Sequence, residues 1–250
     1  MDPLFDFTGQ VVLVTGGSRG LGYCMVKAFA TRGADVIIAS RKLDKCEAVA
    51  EACRALGRRA LAFPAHVGRW AECDALIEAS YAAFGRIDVL INNAGMSPPC
   101  PSHEMPESLF DSVMNLNFKG PFRLASQIGK RMADGAEEHG GGCIINISST
   151  GALMALPGVV PYGAAKAALN AMTVSLSREY APHVRVNTIS AGSFLTDIAK
   201  AWDPARRHQQ PVALGRPGEP EEIVTAALML ASPASSYTTG ALLRVDGGQR

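Results

Sequence analysis

The stretch VVLVTGGSRGLGYCMVKAFAT, Val11 to Thr31, constrains the fold more than any other part of the chain. An apolar, β-branched run passes straight into Gly16, Gly20 and Gly22, and a helical pattern begins inside the glycine string. A strand covered on both faces reads as a continuous apolar run rather than an alternation. Glycines spaced G-x-x-x-G-x-G permit a tight turn, and they let backbone N–H groups approach a pyrophosphate at the positive end of the following helix. The string is weak alone and strong between a strand and a helix. Gly16, Ser18, Arg19, Gly20, Leu21 and Gly22 are therefore the candidate phosphate cradle.

The same alternation continues along the chain. Strands are expected at Val11–Thr15, Ala34–Ser40, Arg59–Ala65, Ile87–Ala94, Gly142–Ser149, Val184–Ala191 and Ala241–Asp246. Helical periodicity lies between them, at about Gly20–Thr31, Leu43–Leu56, Ala71–Phe84, Glu107–Met132, Tyr162–Tyr180 and Pro220–Leu230. The βαβ order predicts an α/β fold: a doubly wound (Rossmann) seven-stranded parallel sheet flanked by helices on both faces. No linker or repeat divides the 250 residues, so one domain over 1–250 is expected. The segment Ala133–Gly142 reads as a polar, Gly-rich surface loop. The segment Ser193–Gly218 has no clear periodicity beyond a short helical piece, and a loop of that length in a compact fold is a substrate-loop candidate.

The end of the second strand bears on the cofactor. A site for NAD carries an acid there for the ribose hydroxyls. This strand ends in Ser40, Arg41 and Lys42, and Asp35 lies at its other end. Arg19 places a further cation at a helix N-terminus, where the macrodipole disfavours it unless an anion is present. A ribose 2′-phosphate would be that anion, and Arg grips phosphate bidentately. These residues favour NADP(H), with NAD(H) as the lesser possibility.

Downstream, Tyr162 and Lys166 stand one helical turn apart, and Ser149 ends the fifth apolar run thirteen residues before Tyr162. Asn92–Gly95 (NNAG) follows the fourth run, and Asn117 lies in NLNFKGPF. Taken together with the glycine turn, these motifs make the chain resemble the short-chain dehydrogenase/reductase family over nearly its whole length. The resemblance implies an oxidoreductase that moves a hydride between a nicotinamide and a carbonyl or secondary alcohol. It implies that Ser149 bonds the substrate oxygen and that Tyr162 is the general acid or base. Lys166 would bond the nicotinamide ribose and lower the Tyr pKa, and Asn117 would hold a water in the proton relay. Asn93, Ala94 and Gly95 would flank the cofactor, His66 and Val67 the adenine, and Gly192 and Thr196 the carboxamide. The chemistry agrees, since a free Tyr near pKa ~10 cycles poorly at neutral pH and a nearby cation favours phenolate. Ser148 is the rival for the serine role, but strand alternation points it the other way.

Two positions depart from the family pattern. His66-Val67 stands where Asp-Val is usual, and Ala191-Gly192 where Pro-Gly is usual. Residues expected to face a pocket are mostly apolar: Met96, Pro98, Met154, Leu156, Val159, Phe194, Leu195 and Trp202. They point to a hydrophobic ketone or alcohol of the 3-oxoacyl, steroid or cyclic-ketone kind. Arg206 and Arg207 read as an exposed helical face. A nucleotide-binding regulatory or scaffold protein of the same fold is the alternative, and epimerisation or dehydration a minor one. Family resemblance further implies a homodimer or homotetramer, paired through the helices after the fourth and fifth strands.

Composition excludes other classes. A net charge of +1 leaves no footprint for nucleic acid or an anionic membrane. The acidic N-terminus is not a signal peptide, and no apolar run is long enough to span a bilayer. The six irregularly spaced cysteines read as reduced thiols, which places the protein in the cytoplasm, and the scattered histidines predict no metal site.

Overall fold

A computed structural model of the chain describes residues 2–197, 199 and 210–249. Seven strands form a single parallel sheet in the order β3-β2-β1-β4-β5-β6-β7. They are β1 Val11–Thr15, β2 Asp35–Ser40, β3 Ala60–Pro64, β4 Val89–Asn92, β5 Gly142–Ser149, β6 Val184–Ala191 and β7 Leu242–Val245. The helices are α1 Gly20–Thr31, α2 Leu43–Arg54, α3 Trp70–Phe84, α4 Glu107–Met114, α5 Gly120–Asp134, α6 Ala136–His139, α7 Val160–Glu179 and α8 Val224–Ala231. β1 pairs with β2 on one side and β4 on the other. The chain reverses direction across the sheet between β1 and β4, which opens a crevice at their carboxyl ends.

Continuous apolar strands are explained by two cores. Val12, Val14, Val36 and Ile38 pack with Met25 and Phe29 of α1, Val49 of α2 and Leu228 of α8. Their strand neighbours Val11, Leu13, Ile37 and Ala39 pack with Leu76 of α3, Leu124 of α5 and Leu169 of α7. The central strands β1 and β2 thus bury both faces, as strands covered by helices on either side do, while the edge strands β3 and β7 are only partly covered.

Element ends differ from expectation where turns intervene. β4 stops at Asn92, and residues 93–95 leave the sheet as loop. The expected surface loop after Ala133 contains the single helical turn α6. The expected helix at Pro220 starts as a 3-10 turn, Pro220–Ile223, before α8. The expected helix Glu107–Met132 is broken by a π-helical turn, Asn115–Lys119. Two residues account for the break. Pro121 has no N–H to offer the Asn117 carbonyl four residues back. A Cβ at Gly120 would lie 1.7 Å from the Val67 carbonyl oxygen, so the chain passes there only as glycine. Trp202, Arg206 and Arg207 of the expected substrate loop lie outside the described residues.

Candidate active site

The glycine turn joins β1 to α1 with Gly16 at φ +65° and Gly20 at φ +53°. A Cβ at Gly22 would sit 2.3 Å from the Gly16 carbonyl oxygen, so the first turn of α1 folds back on the loop only without a side chain. Arg19, the N-cap residue, makes no side-chain cap bond. The first N–H groups of this 12-residue helix thus lack a side-chain partner, and they suit a phosphate. The residues present fit a dinucleotide at this turn.

The loop after β4 is stitched to the turn. Thr15 Oγ1 accepts from the N–H groups of Asn93 at 3.0 Å and Ala94 at 3.1 Å. Asn93 Nδ2 donates to the Thr15 carbonyl at 2.9 Å. Ser18 Oγ donates to Ser40 Oγ at 2.9 Å, tying the turn to the end of β2. Arg41 and Lys42 are exposed there, with no side-chain hydrogen bond or ion pair among the described residues. Arg19 is not a waiting cation, because its Nη1 donates to Asp197 Oδ2 at 2.7 Å. Thr196 adjoins the turn, its Cγ2 3.4 Å from where a Gly20 Cβ would lie. Gly192 lies against the chain after β7, where its Cβ would meet Asp246 Cα at 2.6 Å.

His66 and Val67 follow β3. The His66 ring accepts from the Gly68 N–H through Nδ1 at 3.2 Å, which leaves Nε2 to carry the proton of the neutral ring. Val67 is buried, and its carbonyl faces Gly120.

The polar residues of the second constellation meet at the carboxyl edge of β5. Lys166 Nζ is buried, donates to the Ile147 carbonyl at 2.8 Å and lies 5.8 Å from the Tyr162 ring centroid. Burial lowers its pKa to about 8. Burial likewise raises the Tyr162 phenol above its ordinary value, and a hydrogen bond from the Ser149 hydroxyl acts in the opposite direction. Ser149 Oγ also accepts from the Gly151 N–H at 3.0 Å. Ser148 is spent elsewhere, donating to the Lys166 carbonyl at 3.2 Å. A Cβ at Gly95 would sit 2.8 Å from Asn117 Oδ1 and 3.6 Å from Lys166 Nζ, so these three groups converge.

Asn117 is fully buried, and its side chain is committed to backbone. Nδ2 donates to the carbonyls of Met96 and Val113, each at 2.9 Å, and Oδ1 accepts from the Met96 N–H at 3.3 Å. Asn117 therefore clamps the loop after β4 onto the π-turn. Pro121, four residues on, has no N–H to offer the Asn117 main-chain carbonyl.

Of the expected pocket residues, Phe194 is a core residue. It is buried in the cluster of α1 and α8 and bridges to Gly218. A cavity of about 370 Å³ opens beside the start of α7, lined by Ser102, Met105, Glu107, Phe110, Val160 and Pro161. None of these was singled out from the sequence, because no motif marks a wall shared by the start of α4, the start of α7 and the turn before α4. Thr15 and Asp197 were missed too. Thr15 carries a signal, the polar residue ending an apolar strand, whereas Asp197 carries none. Among the described residues no group of three or more His, Cys, Asp or Glu is placed to hold a metal ion. No helix there is long and apolar enough to cross a membrane.

Known proteins share this arrangement of chain and fold. The family profile described as short chain dehydrogenase matches residues 10–207. An uncharacterized oxidoreductase of Mycobacterium tuberculosis (strain CDC 1551 / Oshkosh) is 40% identical over 98% of this chain and 94% of its own. D-threitol dehydrogenase of Mycolicibacterium smegmatis is 37% identical over 98% of this chain and 95% of its own. The solved structure of a 7α-hydroxysteroid dehydrogenase, complexed with NADH and 7-oxo glycochenodeoxycholic acid, superposes with a TM-score of 0.92 at 30% identity. The match covers 99% of this chain and 97% of that one.

Proposed function

From the premise that this chain belongs to the short-chain dehydrogenase/reductase family, whose members are oxidoreductases acting on CH–OH and C=O groups with a nicotinamide cofactor, we propose that it is an NADP(H)-dependent carbonyl reductase for an apolar ketone. The observation that carries this reading is the meeting of Ser149, Tyr162 and Lys166 at the edge of β5, with Asn117 and Gly95 beside them.

The bound nicotinamide supplies the hydride that reaches the carbonyl carbon. Ser149 Oγ–H donates to the substrate oxygen and holds it near the phenol. Tyr162 gives that oxygen its proton as the C–O π electrons collect there, and product leaves as the alcohol. A phenol raised by burial is protonated at neutral pH, which suits it to donate. The lowering assigned to Lys166 is not among the influences on the phenol in the protein alone; burial and Ser149 are. Oxidation would therefore lean on the positive charge of the oxidised nicotinamide as well. Lys166, anchored on the Ile147 carbonyl, would bond the cofactor ribose. The Asn117 carbonyl is the seat for a relay water, and Gly16, Ser18, Gly20, Leu21 and Gly22 cradle the pyrophosphate.

The apolar substrate class is supported by the Met105, Phe110, Val160 and Pro161 lining of the cavity. Among the described residues its one charged wall residue is Glu107. The NADP(H) preference is supported by exposed Arg41 and Lys42 at the end of β2, where no acid stands. Arg41→Asp is expected to lower the NADPH/NADH ratio of kcat/KM by about tenfold or more, the loss of a charge-assisted bond. An unchanged ratio would remove the NADP(H) reading.

A further inference from the structure

Arg19 and Asp197 are 178 residues apart in sequence, yet the guanidinium meets the carboxylate at 2.7 Å. The contact rests on a built segment. After β6, Phe194 is buried and bridges to Gly218. The Leu195 N–H donates to the Gly218 carbonyl at 2.9 Å, and the Gly218 N–H to the Ser193 carbonyl at 2.9 Å. Thr196 then lies against Gly20. Backbone and core thereby carry residue 197 to the mouth of the glycine turn. Arg19 caps α1, where the helix macrodipole disfavours a cation, and Asp197 supplies the opposite charge. Of three cations around this turn, one is thus neutralised, while Arg41 and Lys42 stay exposed without a side-chain partner among the described residues.

We infer that Asp197 is a cofactor-specificity residue: its carboxylate competes with a ribose 2′-phosphate for Arg19, and so weakens the discrimination between NADPH and NADH. The inference rests on the reading that a 2′-phosphate would sit at this end of the turn. A 2′-hydroxyl needs no guanidinium, so NADH binding is indifferent to the pair. Both partners are solvent-exposed, and an exposed ion pair is weak, so the effect is modest.

The test is a fluorescence titration of the whole protein with NADPH and with NADH. The wild type is compared with Asp197→Asn, Arg19→Met and the double variant. Asp197→Asn is expected to tighten NADPH by about threefold or more and to leave NADH unchanged, and Arg19→Met is expected to abolish that gain in the double variant. An unchanged NADPH affinity, an equal change for both cofactors, or a gain that persists without Arg19 would overturn the inference. An Arg41→Asp control separates the two claims. If it leaves the NADPH/NADH ratio alone, the reading of Arg41 falls, while the coupling of Asp197 to Arg19 is still decided by the double-variant cycle.

Discussion

Lys166 shows how one residue links folding to function. Its ammonium is buried and held on one carbonyl, so the fold disfavours its charge and sets its pKa at about 8. The unfolded chain keeps the ordinary value of 10.5. Between these values the unfolded state holds a proton that the folded state has lost, so this group makes stability rise with pH from about 8 toward 10. Lys166→Met removes that contribution. Chemical denaturation at about pH 7.5 and 10 should show the wild type gaining on the variant, by at most roughly 3 kcal/mol at about 1.4 kcal/mol per unit. Equal pH slopes would contradict the burial argument. That Ser149 faces Tyr162 and Ser148 turns away was legible in the sequence, since alternation along a strand decides it. What Asn117 does with its side chain was not legible. Its partners are the backbone of Met96, brought near by the loop after β4, and of Val113 on its own helix. The Asp197 partner of Arg19 was hidden for the same reason: a contact across 178 residues leaves no local pattern.

Among the elements, the broken helix between Glu107 and Asp134 is the most consequential. Its apolar spacing carries through the break, so periodicity reads one helix where there are two joined by a π-turn. The missing signal was Gly120-Pro121, a pair that costs an α-helix a donor and a side chain together. The π-turn carries Asn117, whose Oδ1 lies beside Gly95, and brings Gly120 against Val67. Gly120→Ala forces backbone to move at a point where no flexible side chain can yield. It should cost about 1–3 kcal/mol, the usual penalty of overpacking, and lower Tm by several degrees. A melting curve identical to wild type would show that the contact yields easily. By contrast, β1, α1, β5 and β6 were legible to the residue, because continuous apolar runs bounded by glycine and polar residues leave little freedom of register.

At the scale of the molecule, strand order decides where chemistry can occur. The reversal between β1 and β4 puts the glycine turn and the loop after β4 on either side of one crevice, with β5 next in the sheet. The α/β class was legible from alternation alone, whereas the cavity between the starts of α4 and α7 depends on how two helices meet in space and was not. Phe122 and Val174 are exposed on α5 and α7. Apolar residues exposed there support the proposal that the protein assembles as a dimer or tetramer through these helices. Light scattering should give a mass of two or four chains, and a monomer would end that proposal. The central claim is that Tyr162 protonates a carbonyl reduced by nicotinamide. Its most direct test is NADPH oxidation by the purified protein across a panel of apolar ketones, with Tyr162→Phe alongside. The account predicts turnover that falls by about 100-fold or more in the variant, the usual worth of a general acid, with NADPH affinity retained. Turnover undiminished in Tyr162→Phe would contradict it.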